Sequence, residues 1–229
     1  MSDFRDKHSG DQVQLIDWQQ IDDVFLDMDG TLLDLHFDNH FWLEYLPDRY
    51  ARMHGTSYDA ARERLLGMYA QHVGTLKWYC IDHWSKELGV DILSLKTEIE
   101  HLVQLHPHVD EFLNMLQSMG KRITLMTNAH PKTLAFKLQR IPMAHRFDHL
   151  ITSHEVGLPK EDPGFWGKLQ QRIHFDAQKT LFVDDSPAVL HSAEAYGIHR
   201  VIAITAPDST QQQKEIEGFI AIRDFSGLL

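Results

Sequence analysis

The stretch Val24-Phe25-Leu26-Asp27-Met28-Asp29-Gly30-Thr31 constrains this chain more than any other. A short apolar run ends in two carboxylates one residue apart, and Gly-Thr then supplies turn chemistry. A run this short, bounded by turn residues, reads as a parallel strand buried on both faces. Open α/β sheets gather ligands beyond the carboxyl ends of their strands. Two carboxylates crowded there repel by ~4 kcal/mol at ~4 Å and an effective dielectric of ~20. Something positive must compensate, and Mg²⁺ together with a phosphate ester is the simplest answer. The plainer alternative is that Asp27 and Asp29 only cap a loop and the helix after it.

The rest of the chain alternates strand-like and helical runs. Arg122–Thr127, His149–Thr152, Thr180–Val183 and Arg200–Thr205 read as strands. Helical patterns cover Val109–Met119, a segment from Pro131, one after Pro163 carrying Trp166, Leu169 and Ile173, and one from Pro187 to Tyr196. Such alternation gives an α/β fold, a parallel sheet with helices on both faces. Between about Asp34 and Pro107 the β-branched runs vanish and aromatics and helix formers dominate. There the sequence predicts a helix capped by Asn39 and carrying Phe41, Trp42 and Tyr45, and another capped by Ser57. A third holds Trp78, Ile81, Trp84 and Leu88 and stops at Gly89, and a fourth is capped by Asp91. The expected organisation is a core domain of residues 1–34 and 107–229, with residues 35–106 inserted as a helical lid. Residues 1–20 read as a polar lead-in, with Leu15 and Trp18 packing beside the first strand. They lack the apolar centre of a signal peptide.

Composition narrows the partners. A net charge of −11 over 229 residues argues against a nucleic-acid polymer or an anionic membrane as the main partner. No run approaches the ~20 apolar residues of a membrane span. The single cysteine, Cys80, excludes an intrachain disulfide and suits a reducing compartment, so the cytoplasm is expected. As a residue, Cys80 reads better as a small buried hydrophobe than as a reactive thiol. The 16 histidines include His36/His40 and His145/His149 at HxxxH spacing and His106/His108 at HxH. None forms HExxH, and no helix carries three ligands, so scattered imidazoles are the better reading. His130, close after Asn128, is a candidate substrate contact.

Placed at strand ends, the polar residues form a set. Asp27 and Asp29 follow the first strand; Thr127 and Asn128 follow the second. Lys160 lies in the loop Gly157–Asp162, and Asp184, Asp185 and Ser186 follow the fourth strand. This set suits displacement at phosphorus. A carboxylate is a covalent nucleophile for phosphoryl groups, and Mg²⁺ takes one or two carboxylates and retains waters. Lys160 and the Thr127 hydroxyl can neutralise the equatorial phosphate oxygens. Asp29 can protonate the leaving alkoxide and then activate water.

The combination of DxDGTL, a strand ending in Thr, a loop Lys and Asp-Asp-Ser resembles the four motifs of the haloacid dehalogenase (HAD) superfamily, from about Ile21 to the end. The resemblance implies a Rossmann-like core sheet ordered 5-4-1-2-3 and, with an insertion at this point, a helical C1 cap. It implies Asp27 as nucleophile and Mg²⁺ ligand, and Asp29 as acid/base that gives its main-chain carbonyl to the metal. Thr127, Asn128 and Lys160 would bind phosphate. Asp185 would ligate Mg²⁺ directly, with Asp184 acting through water or Lys160. The superfamily's dehalogenases lack the second Asp, because a halide needs no proton to leave, so Asp29 implies a phosphatase-type site. The flanks DMDGTLLDLHFDNHFW, LKWYCIDHWSKELGVDI, TNAHPKTLAFKL and LPKEDPGFW are similar to the bacterial GMP/IMP nucleotidase branch. The substrate implied is a purine nucleoside monophosphate, with Trp78 the candidate for contacting the base.

Other readings stay open on the sequence. A phosphatase or phosphomutase acting on a sugar phosphate or other small metabolite would share every core motif. A phosphate-binding module without turnover should have lost Asp27, Asp29, Lys160 or Asp185, and none is lost. A receiver domain also uses clustered Asp, Thr and Lys, but its acidic pair precedes the phosphorylated Asp. Here the pair comes last.

Overall fold

A computed structural model describes residues 16–229; Leu15 and most of the polar lead-in lie outside it. The strands are β1 (Asp23–Leu26), β2 (Arg122–Thr127), β3 (His149–Thr152), β4 (Thr180–Asp184), β5 (Arg200–Ile204) and β6 (Ile220–Ile222). They form one parallel sheet in the order β3-β2-β1-β4-β5-β6. This is the order that the resemblance implies, read from the other edge and extended by β6. That strand escapes sequence reading because it is three residues long.

Alternation within the strands sorts the core into two layers. Val24, Leu26, Ile123, Leu125, Leu181 and Val183 point to one face, while Phe25, Met126 and Phe182 point to the other. The first face is covered by a helix carrying Phe112, Leu113 and Leu116 and by one carrying Leu134. The second is covered by helices carrying Phe165, Trp166 and Leu169, and Val189, Leu190 and Ala193. A strand with both faces covered favours apolar side chains, which explains the run Val24-Phe25-Leu26; Asp23 at its start is buried but paired with Arg122. Trp18 packs beside this core with its ring 6.1 Å from Phe112.

Between β1 and the first of those helices come α1 (His36–His40), a π-helical stretch Phe41–Tyr45, α2 (Leu46–His54), α3 (Tyr58–Ala70), α4 (Leu76–Tyr79), α5 (Ile81–Leu88) and α6 (Ile92–Glu98). The two chain crossings that bound this region run side by side. Asp34 N–H donates to the Gln104 carbonyl at 2.9 Å and His106 N–H to the Leu32 carbonyl at 2.9 Å. Beyond them lie α7 (Val109–Ser118), α8 (Pro131–Arg140), α9 (Ser153–Val156), α10 (Phe165–Gln170) and α11 (Pro187–Tyr196).

Some caps follow the sequence and others do not. Ser57 Oγ accepts from Ala60 N–H at 3.2 Å, and Asp91 Oδ1 from Ser94 N–H at 3.1 Å. Asn39 caps nothing. Its helix starts at His36, and its side chain instead donates to Asp208 at 2.7 Å. The expected third helix is two, because Cys80 leaves the helical region (φ −88°, ψ 104°) between α4 and α5. Its sulfur accepts from His83 N–H at 3.4 Å, so it acts as an N-cap and is half-buried rather than a core residue. Ile173 falls beyond the end of α10. No helix among the described residues is long and apolar enough to cross a membrane.

Candidate active site

The carboxyl ends of β1, β2 and β4 meet on one side of a cavity of about 460 Å³ lined by Asp27, Asp29, Thr127, Asn128, Lys160, Asp184 and Asp185. The same cavity is also lined by the aromatics Trp42, Tyr69, Trp78, Tyr79 and Trp84. All eight carboxylate, amide, hydroxyl and ammonium positions singled out in the sequence, Ser186 included, therefore line one space, as do His130 and Trp78.

Asp27 immediately follows β1, where its N–H donates to the Val183 carbonyl at 3.0 Å and fixes it against β4. Oxygens of Asp27, Asp184 and Asp185 lie within 4.8 Å of one another, and all three residues are buried. A single buried ammonium serves them. Lys160 Nζ donates to Asp27 Oδ1, to Asp184 Oδ2 at 2.6 Å and to the Met126 carbonyl at 3.2 Å. A half-exposed cation, Lys214, stands 3.7 Å from Asp185. Negative charge is thus in excess, which a divalent cation would offset. Buried, close-set and oxygen-only, these donors fit a hard cation such as Mg²⁺.

The electrostatics carry the same message. Burial pushes the Asp27 carboxyl well above the usual range; Lys160 works against this, and Asp184, Asp185 and Asp29 reinforce it. Burial first, and Asp184 next, push Asp185 up to about 7, with Lys214 and Lys160 opposing. Burial would lower Lys160, yet Asp184 and Asp27 hold it above its ordinary value, so it stays charged.

Gly30 is a requirement of this packing. Its φ is +91°, and a Cβ there would stand 2.7 Å from the Asp185 carboxyl carbon. A larger residue would be strained in backbone and would push Asp185 aside.

Asp29 points to a second set of charges. Lys137 of α8 donates to Asp29 Oδ1 at 2.5 Å and also to Asp38, and Lys96 of α6 donates to Asp38 at 2.7 Å. Both lysines are 1% exposed, and Lys96 lies 4.4 Å over the Phe41 ring. Burial raises Asp29, against Lys137. Burial alone would raise Asp38 too, but Lys137 and Lys96 hold it well below its ordinary value. Sequence reading found none of Asp38, Lys96 and Lys137. Each is a charged residue on a helix, which sequence reads as a solvated face, and only the pairing across 58 and 99 positions reveals them.

Asn128 and Thr127 are partly committed to the scaffold. Thr127 Oγ1 accepts from Ala129 N–H at 3.0 Å. The Asn128 side chain accepts from Lys160 N–H at 2.9 Å and donates to Glu161 at 2.9 Å. Glu161 also accepts from Tyr79 Oη at 2.8 Å, which joins α4 to the Lys160 loop. His130 is the N-cap of α8, its Nδ1 accepting from Lys132 N–H at 3.3 Å. Its ring lies 4.9 Å from that of His154. Burial pushes His154 down to about 4; His130 adds to this and the Leu76 main chain opposes it. Trp78 packs edge-on against Tyr69 and Trp84, at 5.7 and 6.5 Å between rings.

Comparison with known proteins places this geometry. A family model for haloacid dehalogenase-like hydrolases matches residues 21–197. The chain is 39% identical over 214 residues to the GMP/IMP nucleotidase YrfG of Escherichia coli, covering 93% of this chain and 96% of that protein. Among solved structures, a HAD phosphatase from Thermococcus onnurineus superposes with a TM-score of 0.75 at 23% identity, over 91% of this chain and 96% of the other. The HAD-hydrolase YfnB of Bacillus subtilis, bound to magnesium, superposes with a TM-score of 0.64 at 19% identity, over 91% and 96%.

Proposed function

The chain belongs to the haloacid dehalogenase-like hydrolases and is a phosphatase, and from that premise we propose that it is a Mg²⁺-dependent 5′-nucleotidase acting on purine nucleoside monophosphates, GMP and IMP foremost. The observation that carries the reading is the buried Asp27–Asp184–Asp185 set on Lys160, in one cavity with a group of aromatic side chains. A 5′-nucleotide has a dianionic end and a flat apolar end, and the cavity offers both a cluster of charged groups and a set of aromatic rings. Its volume falls within the ~300–1,000 Å³ of small-molecule sites.

In this reading Asp27 attacks phosphorus and carries the phosphoryl group, as carboxylates do in covalent phosphoryl transfer. Lys160 opposes the effect of burial on Asp27 and meets an equatorial phosphate oxygen. The Thr127 hydroxyl and the Asn128 main-chain amide meet the others, while the Asn128 side chain keeps the Lys160 loop in place. Asp29 protonates the departing ribose oxygen and then takes a proton from the water that releases phosphate. Asp27, Asp185 and the Asp29 carbonyl would hold Mg²⁺, with Asp184 through water or through Lys160. Bound there, the metal would neutralise charge shared between phosphate and carboxylates. Residues 35–106 act as the cap that closes the cavity from water. The identity to the E. coli nucleotidase supports the purine substrate.

Chemistry gives the discrimination. GMP and IMP share a 6-oxo group and a protonated N1 that AMP lacks. A site that pairs with both leaves its own polar groups unmatched against AMP, and mismatches of that kind discriminate strongly. The test is phosphate release from a panel of GMP, IMP, AMP, pyrimidine monophosphates and sugar phosphates with Mg²⁺. GMP and IMP should give the highest kcat/KM. Equal values for GMP and AMP would overturn the specificity, and isomerised sugar phosphate without free phosphate would point to a mutase.

A further inference from the structure

Cys80, His130 and His154 lie far apart in sequence and on three different elements. Cys80 is the non-helical residue between α4 and α5, His130 stands between β2 and α8, and His154 is in α9 directly after β3. One ligand atom from each, a sulfur and two ring nitrogens, lies within 4.8 Å of the others. His130 lines the edge of the cavity, but none of the three is among the groups that act on the phosphate in the proposed function. His154 is the telling member. Both its ring nitrogens are shielded from solvent, and neither meets a partner in hydrogen-bond geometry, although the Leu76 main chain is close enough to oppose the effect of burial on the ring. Buried polar atoms are nearly always paired, and an unpaired one needs an explanation. The Cys80 sulfur holds only a long contact to a main-chain N–H.

We propose that Cys80, His130 and His154 form a site for a divalent transition-metal ion of the zinc class, separate from the carboxylate site. One thiolate and two imidazoles are the soft and borderline donors such ions select, whereas Mg²⁺ takes oxygen. Zinc bonds of ~2.3 Å to sulfur and ~2.0–2.1 Å to nitrogen require these atoms to draw closer than their present separation. Cys80 gives up its thiol proton on binding. His130 ligates through whichever nitrogen is free of a proton. Either way it surrenders the long cap bond from Lys132 N–H, because the Nδ1 lone pair goes to the metal or, with Nε2 as ligand, to the proton that moves there. The fourth position falls to water or to Asp82, whose carboxylate stands 3.8 Å from His130 Nε2. The occupied site joins α4 and α5 to the loops after β2 and β3, and those loops carry Asn128 and lead to Lys160. The ion would therefore fasten the inserted helices over the cavity.

Chelator-treated enzyme titrated with Co²⁺ in excess Mg²⁺ tests this, since Mg²⁺ occupies the carboxylates and a cobalt–thiolate charge-transfer band reports only sulfur ligation. The expected result is one equivalent bound with that band, absent in Cys80→Ser and lost or strongly weakened in His154→Gln and His130→Gln. Zn²⁺ should raise the Tm of the wild type and not that of Cys80→Ser. Circular dichroism and metal-free thermal unfolding check that each variant is folded. No charge-transfer band in the wild type, or an undiminished one in both histidine variants, would overturn the site. Its outcome is independent of which phosphate ester the enzyme prefers.

Discussion

At the scale of single residues, the site depends on crowding that only particular side chains permit. Gly30 is the clearest case, with its positive φ and the Asp185 carboxyl 2.7 Å from where a Cβ would stand. Gly30→Ala should leave a folded protein whose phosphatase activity falls on the order of 10²-fold, the scale of a ~1 Å misplacement. Wild-type activity in that variant would show that Asp185 tolerates displacement. Asp185 also sets a pH dependence. Without metal its folded-state value is about 7 against an ordinary 3.8, so the folded protein holds a proton there that the unfolded chain has already lost. The corresponding stability is complete below the lower value and is lost as pH rises through the upper one. Mg²⁺ must expel that proton. Its apparent affinity, followed as a Tm shift over ~pH 5 to 8, should tighten with rising pH and level off above the Asp185 value. A flat profile would contradict the assignment of Asp185 as a ligand.

At the scale of elements, the proposed function gives the helices of residues 35–106 two jobs with one set of aromatics. Trp84 is 1% exposed and donates its indole N–H to the Trp78 carbonyl at 2.9 Å, so it builds the insertion. Trp78 is half-buried, touches Trp84 and Tyr69 by its edges and lines the cavity. Base–aromatic stacking is worth ~1–3 kcal/mol. Trp78→Ala should therefore raise KM for GMP by ~5- to 150-fold while sparing p-nitrophenyl phosphate. Equal losses on both substrates would make Trp78 structural. Much of this was legible in advance. The apolar runs gave β1 to β5, and strand-end chemistry brought Asp27, Asp29, Thr127, Asn128, Lys160, Asp184 and Asp185 to one place. What periodicity could not supply was pairing at a distance. Lys96, Lys137 and Asp38 look like ordinary helix surface until they meet across the interior, and Cys80, His130 and His154 share no motif spacing. Asn39 shows the converse: a residue type favoured at helix N-termini was drawn instead to Asp208.

At the scale of the whole molecule, an acidic protein must bring an anionic ester to a cluster of carboxylates. The arrangement resolves this by spending its cations inside. Lys160 is shared between Asp27 and Asp184, and Lys137 between Asp29 and Asp38. In the proposed function the remaining negative charge is left for Mg²⁺ to offset, which would make metal dependence a property of the entire constellation rather than of one ligand. The central claim is that Asp27 carries the phosphoryl group. Rapid quench of a GMP turnover with Mg²⁺, followed by borohydride reduction and peptide mass mapping, tests it directly. The expected result is homoserine at position 27, absent without Mg²⁺ and absent in Asp27→Asn. Reduction at any other carboxylate, or phosphate release by Asp27→Asn at the wild-type rate, would contradict the account.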